Sequence, residues 1–176
     1  MLPKILKGSF DIFKSEKKWI KYLKKIGDLA HIDHDFLSQI CCDHFERFNN
    51  RFPKFDLKYH KIIRIKKNTR EIYDFIRYDR NEIIDFWYFQ IDDFLEKGSR
   101  ADYEIISYIA YNKTWHFPPV VIDAKLAIKI GVGSFGSPIH LIEGTHRVSF
   151  LRRLYELNLI KDDAEHELLY ITEMET

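Results

Sequence analysis

Residues 138–154 read Pro-Ile-His-Leu-Ile-Glu-Gly-Thr-His-Arg-Val-Ser-Phe-Leu-Arg-Arg-Leu, and this stretch decides the fold. Ile139-His140-Leu141-Ile142 is a short, mostly apolar run of the kind that forms a strand. Gly144-Thr145 then opens a helix to about Leu157, with Val148, Leu151, Leu154 and Tyr155 at helical spacing on its inner side. Between them, Glu143-Gly144-Thr145-His146-Arg147 has the chemistry of an anion site. Backbone N–H groups at a helix start lack intrahelical acceptors and point at a ligand. Gly144 permits a sharp turn and close approach of a phosphate. Thr145 can cap the helix or hydrogen-bond a phosphate oxygen. Arg147 offers a planar bidentate fork, and His146 can donate or transfer a proton. The bland alternative is a plainly capped helix with an arginine near its start.

Working outward, Pro118-Pro119 introduces Val120-Val121-Ile122, a second short strand, and Leu168 to Ile171 reads as a third. Ala101 to Asn112 reads as a helix with Ile105, Ile106 and Ile109 inward. Residues 131–136 spell G-x-G-x-x-G, but a dinucleotide fingerprint must sit between a strand and the helix it opens. Here Ser137-Pro138 and a strand follow, so a mobile loop beside a site is expected. In the middle of the chain, Ile63 and Ile65, then residues 72–76, then residues 83–89 are enriched in β-branched and aromatic residues and read as strands. A helix at 70–78 is the rival reading. Nearer the start, Ser15 can cap a helix from Glu16 to about Ala30, with Trp19, Leu23, Ile26 and Ala30 on one face and lysines on the rest. A second helix is expected from about Asp35 to Phe48. Helices and strands mixed in this way predict an α+β fold with a mixed sheet.

Composition narrows the class. The chain has 176 residues, 45% apolar and 15% aromatic, enough for one domain, or one domain with a small extension, and a sizeable core. So many aromatics exclude disorder as the main state, and 7 Gly with 5 Pro exclude collagen-like and low-complexity classes. No apolar run approaches the roughly 20 residues of a bilayer helix, and residues 1–13 lack the apolar core of a secretory signal. The two cysteines, Cys41 and Cys42, are adjacent, which argues against a disulfide framework and for a cytoplasmic location. Net charge is only +1, yet residues 1–80 hold 19 Lys/Arg against 11 Asp/Glu and residues 81–176 hold 9 against 16. A basic half of this kind can attract nucleic acid or an acidic partner, while the ordinary explanation is solvated lysine faces.

The segment 138–154 resembles the signature of the ParB/sulfiredoxin-like superfamily, in which a strand ends in an acidic-Gly-x-His-Arg or Gly-x-Arg-Arg turn that opens a helix. The resemblance extends over roughly residues 83–172. Phe89 to Leu95 is similar to the family's first strand, 101–112 to its next helix, Pro119 to Ile122 to its P-I-x-V strand, and Leu168 to Ile171 to a late strand. It implies a basic helical N-terminal extension, residues 1–80, followed by a ParB/sulfiredoxin-like domain, residues 81–176. It also implies that Gly144, Thr145, His146 and Arg147 hold the phosphate of ATP or another nucleotide with Mg²⁺, with Glu143 beside them and the loop at 131–137 as a roof. Departures matter as well. Sulfiredoxins carry a cysteine where Thr145 stands, so sulfinic-acid reduction through that residue is not expected. About 20 residues of this sequence follow the helix, and sequence-specific DNA partitioning through a helix-turn-helix module is not expected.

The kinase branch of the superfamily uses an acidic base near the transferred phosphoryl group. Asp92, Asp93 and Asp123, placed at the ends of the two preceding strands, are the candidates, with His146 and Glu143 at the turn. His31, His34, Cys41 and His44 have i, i+3 spacings that zinc ligands use, though Cys41 also fits an apolar stripe and no metal site is expected. His34-Asp35 alone is too short to establish a phosphohydrolase dyad. Two other classes compete with the nucleotide-binding reading. One is a non-catalytic protein-binding factor of the immunity or antitoxin kind, anchored by aromatics and arginines. The other is nucleic-acid binding through the basic half, which would weaken steeply with salt.

Overall fold

The computed structural model describes residues 1–80, 82–97 and 104–174. Its centre is one five-stranded sheet built from β1 (His60–Asn68), β2 (Ile76–Arg77), β3 (Val120–Asp123), β4 (Ile139–Glu143) and β5 (Glu165–Glu173), in the order β1-β5-β3-β4-β2. The sheet is mixed: β1 runs antiparallel to β5, β5 parallel to β3, β3 antiparallel to β4, and β4 parallel to β2. With its helices it is an α+β protein, as the sequence predicts.

Strand alternation divides the core in two. Val120, Ile122, Leu169 and Ile171 face a cluster made mostly by residues 2–57, with Ala127 and Ile130. Val121, Leu141 and Leu168 face the opposite way, into a cluster of Ile72, Ile84, Ile91, Ile109, Phe150 and Leu154. The first cover consists of α1 (Glu16–Ile26), α2 (His34–Phe36), a π-helical turn over Leu37–Asp43, α3 (Phe45–Arg51) and α8 (Ala124–Ile130). The second consists of α4 (Thr69–Phe75), α5 (Glu82–Phe86), α6 (Tyr88–Lys97), α7 (Glu104–Asn112) and α9 (Thr145–Glu156).

The N-terminal helices are therefore one wall of the core. Phe36, Phe52 and Phe55 are fully buried there, each contributing about 1.5–3 kcal/mol of apolar transfer. The boundary placed between residues 80 and 81 runs through a sheet that takes β1 and β2 from one side of it and β3, β4 and β5 from the other.

Residues 69–75, residues 82–97 and the end of the first helix differ from the expectation, and α8 lies where the sequence reading assigns no element. Residues 69–75 form a helix, α4, because Asn68 and Glu71 close a reciprocal capping box: the Glu71 N–H donates to Asn68 Oδ1 and the Asn68 N–H to the Glu71 carboxylate. Residues 82–97 form α5 and α6, so Phe89 to Leu95 is helix and not a first strand. Ile84 and Ile91 are buried with Trp87 and Phe94 packed beside them, a spacing of three and four that outweighs the β propensity of the aromatics. Asp123 caps an eighth helix, accepting from the Lys125 and Leu126 N–H groups, so that Ala124, Ala127 and Ile130 turn inward. The first helix ends at Ile26, where Gly27 adopts φ +57°, and a 3₁₀ turn covers Gly27–His31. Ala101 to Tyr103, the start of the helix expected at 101–112, lies outside the described residues, and Glu104–Asn112 is helical. Among the described residues no helix is long and apolar enough to cross a membrane.

Candidate functional site

The β4–α9 turn forms where the sequence places it. Gly144 takes φ +103°, and a Cβ there would stand 2.8 Å from Pro119 Cβ, so backbone conformation and contact both demand glycine. Gly144 is also the N-cap of α9, and no side chain caps the helix. Thr145 opens the helix and lines a cavity of about 610 Å³ together with Gly144, His146, Arg47, Arg80 and Trp87. A neighbouring cavity of about 570 Å³ is bordered by Arg51, Phe52, Val132 and His140. The two share His44, Arg47, Tyr78, Asp79 and Glu143, and Arg47 Nη2 donates to Tyr78 Oη at 2.6 Å within that shared set.

Arg147 faces inward. It is 6% exposed, and Nη1 donates to the Phe117 carbonyl at 2.8 Å while Nη2 donates to Gln39 Oε1 at 2.6 Å and lies 3.4 Å from Glu143 Oε1. The guanidinium thus ties α9 to the π-helical turn, to the loop before β3 and to the end of β4. Gln39 is itself buried and donates to the carbonyls of Asp35 and Pro118, both at 3.1 Å.

Glu143 has two basic partners. Its Oε2 is 3.2 Å from His44 Nε2, and its Oε1 approaches Arg147. Burial would raise the Glu143 carboxyl, but the His44 hydrogen bond and the charges of His44 and Arg147 outweigh it and hold the carboxyl below its usual range. The same hydrogen bond raises His44 against the effect of its partial burial. His146 behaves differently. It meets the Trp87 ring edge-on at 4.1 Å and stacks on Phe150 at 5.9 Å. Burial first, and the Arg147 charge after it, push the imidazole below its ordinary value, which favours the neutral form at pH 7.

The remaining expected residues lie elsewhere. Asp123 pairs in register with Ile139, at the end of β3 and β4 opposite Glu143, so four residues of strand, about 13 Å, separate it from the turn. Asp93 is exposed on α6 and ion-paired with Lys97. Asp92 binds Arg153 at 2.8 Å, eight residues or about 12 Å along α9 from its start. These aspartates were expected at strand ends; the helical spacing of α6 carries Asp92 and Asp93 along its own surface instead.

The glycine loop is fastened down. Val132 N–H donates to the Arg51 carbonyl at 2.9 Å, Gly136 N–H to His140 Nδ1 at 3.1 Å, and the Arg51 guanidinium lies 4.4 Å over the Phe135 ring. It borders the second cavity through Val132 and does not line the one at Gly144–Arg147. The walls there come from Tyr78, Asp79, Arg80 and Trp87.

His31 Nδ1 contacts the Asp28 carbonyl, His34 packs on Trp19, Cys41 is buried in the core and His44 faces Glu143. Among the described residues no three His, Cys, Asp or Glu side chains gather in a way that could hold a metal ion.

Sequence reasoning missed Gln39, Arg47 and Arg80. Arg47 follows His44 by three residues on a helical stretch, a local signal that could have linked the two. Nothing local marks Gln39. Compared with known proteins, the chain matches no family model, no curated sequence and no solved structure.

Proposed function

We propose that this chain is a ParB/sulfiredoxin-like protein that binds a nucleotide or another small phosphorylated ligand in the cavity at the start of α9. One observation carries the reading: a helix N-terminus without a side-chain cap opens on a cavity of about 610 Å³ whose wall includes Arg47 and Arg80. Pockets of roughly 300–1,000 Å³ suit small ligands, and a helix start with cationic side chains around it suits a phosphate. The acidic groups of the wall have cationic neighbours, Asp79 at 3.6 Å from Arg51 and Glu143 at 3.4 Å from Arg147.

In this reading the Thr145 N–H and the Arg47 and Arg80 guanidinium groups receive the phosphate, while Arg147, which also lines the cavity, holds the turn through Phe117, Gln39 and Glu143. Trp87 and Tyr78 supply flat apolar surface beside it. Of the carboxylates available to Mg²⁺ beside a polyphosphate, Glu143 and Asp79 line the cavity, whereas Asp93 and Asp123 do not. A transfer or hydrolysis step would fall to Glu143 or His146, the titratable groups at the turn.

The test is a thermal-shift and calorimetric screen with ATP, CTP, GTP, ADP and pyrophosphate, with and without Mg²⁺. A ligand at 100 times its dissociation constant adds about 2.7 kcal/mol, or roughly 5–10 °C for a domain of this size. The double variant Arg47→Gln/Arg80→Gln is expected to lose most of that shift, and Asp93→Asn to keep it. If no phosphorylated compound shifts the wild-type protein, the reading is wrong.

A further inference from the structure

The first helix has the sequence Glu-Lys-Lys-Trp-Ile-Lys-Tyr-Leu-Lys-Lys-Ile over residues 16–26. At about 100° per residue its Trp19, Tyr22, Leu23 and Ile26 share one face. That face is used: Tyr22 and Ile26 are buried, and Trp19 and Leu23 pack against the same core. The opposite face carries Lys17, Lys18, Lys21, Lys24 and Lys25, all exposed. Lys17 to Lys24, and Lys18 to Lys25, each span about 10 Å of helix axis.

Most exposed lysines and arginines of the sheet edge and of α4 face carboxylates, as in Lys66–Glu165, Arg64–Asp33 and Arg70–Asp74. Among the described residues, Lys17, Lys18, Lys21 and Lys24 take part in no ion pair, though Lys18 lies in the field of Asp11, and Lys25 donates to the Lys7 carbonyl at 3.5 Å. Other exposed lysines, such as Lys54, Lys58 and Lys125, also lack an ion pair among the described residues; α1 differs in gathering five lysines on one face. Between Glu16 and Asp28 the segment has no acidic residue. Lys17 with Lys21, and Lys21 with Lys25, are i, i+4 like-charge pairs that oppose the helix by a few tenths of a kcal/mol each. Overall charge does not explain the row, since the whole chain carries only +1. A polyanion laid along this face would relieve the repulsion and release its own counterions.

We infer that the outer face of α1 is a docking surface for the phosphate backbone of a nucleic acid. The helix cannot turn its apolar stripe toward a bilayer without leaving the core, which favours a backbone contact over membrane insertion. Readout of base sequence is not expected, because lysines on an exposed face reach phosphates and not base edges. The surface is separate from the cavity at α9 and does not depend on it.

The test measures affinity of the full chain for a fluorescently labelled duplex of mixed sequence across a salt series. If five phosphates are neutralised, log K falls with log salt at a slope of about −4.5, close to a 500-fold loss between about 50 and 200 mM salt. The triple variant Lys17→Gln/Lys21→Gln/Lys24→Gln should make the slope shallower by about 2.7 while circular dichroism shows the fold retained. Lys161→Gln, exposed elsewhere, should leave it unchanged. Absence of binding at low salt, an unaltered slope in the triple variant, or preference for phosphatidylserine vesicles over the duplex would each overturn the inference.

Discussion

Replacing Arg147 with alanine should cost stability more than it costs ligand affinity. The side chain is 8% exposed and donates to the Phe117 carbonyl and to Gln39 Oε1, with Glu143 Oε1 at 3.4 Å. Alanine leaves two neutral acceptors and one carboxylate without their donor. An orphaned buried acceptor costs about 1–3 kcal/mol, and removing one partner of a buried ion pair about 3–5 kcal/mol. These overlap, since Glu143 keeps His44, so a total of about 3–5 kcal/mol is expected. With a urea m-value of about 2 kcal/mol per molar, the unfolding midpoint should fall by about 1.5–2.5 M. Arg147→Lys should recover less than half, because an ammonium cannot span acceptors arranged for a planar fork. Equilibrium urea unfolding followed by tryptophan fluorescence reads the effect. A midpoint shift below about 0.5 M, with phosphate binding lost, would refute the reasoning and make Arg147 a ligand-binding group.

Gly144→Ala should lower stability by about 1–3 kcal/mol, since an L side chain is strained at φ +103° and its Cβ meets Pro119; urea unfolding measures it. Stability should also fall with acid. His140 and His166 are buried and pushed down to about 4 from an ordinary 6.5, by desolvation above all. The unfolded chain then takes up protons that the folded one refuses, so each removes up to about 3 kcal/mol between pH 6.5 and 4. The His44–Glu143 pair runs the other way in part. Raised His44 contributes below about pH 6.5 and fades as pH rises through its folded value. Lowered Glu143 contributes above about pH 4.5 and fades as pH falls through its own. Stability curves of wild type and His44→Gln from pH 4 to 8 should therefore differ most between about 4.5 and 6.5, and a constant difference across the range would contradict the pairing.

Where local chemistry is strong, the sequence reading and the structure agree. The apolar run 139–142, Gly144 and the i, i+3, i+7 apolar positions of residues 145–156 produce β4, the turn and α9. Val120 to Ile122 is a short apolar strand buried on both faces, and Leu168 to Ile171 is the apolar centre of the longer strand β5. Residues 69–97 show the opposite case. Their aromatic and β-branched content favours strands, yet the Asn68–Glu71 capping box and the inward spacing of Ile84, Trp87, Ile91 and Phe94 produce helices. A capping box is visible in sequence once Asn-x-x-Glu is read as a helix start. Which face of residues 82–97 meets the core is settled only by packing on α9.

From the chain alone come the α+β class, the helix start at Gly144 and the lysine face of the first helix, because each rests on neighbours within a few residues. The tertiary structure decides what Arg147 does and which cations reach the cavity. Gln39 lies 108 residues from Arg147, and Phe117 lies 30. Arg47 and Arg80 arrive on the π-turn–α3 segment and on the loop after β2. Such meetings depend on how the two covers close over one sheet, and no local spacing encodes them.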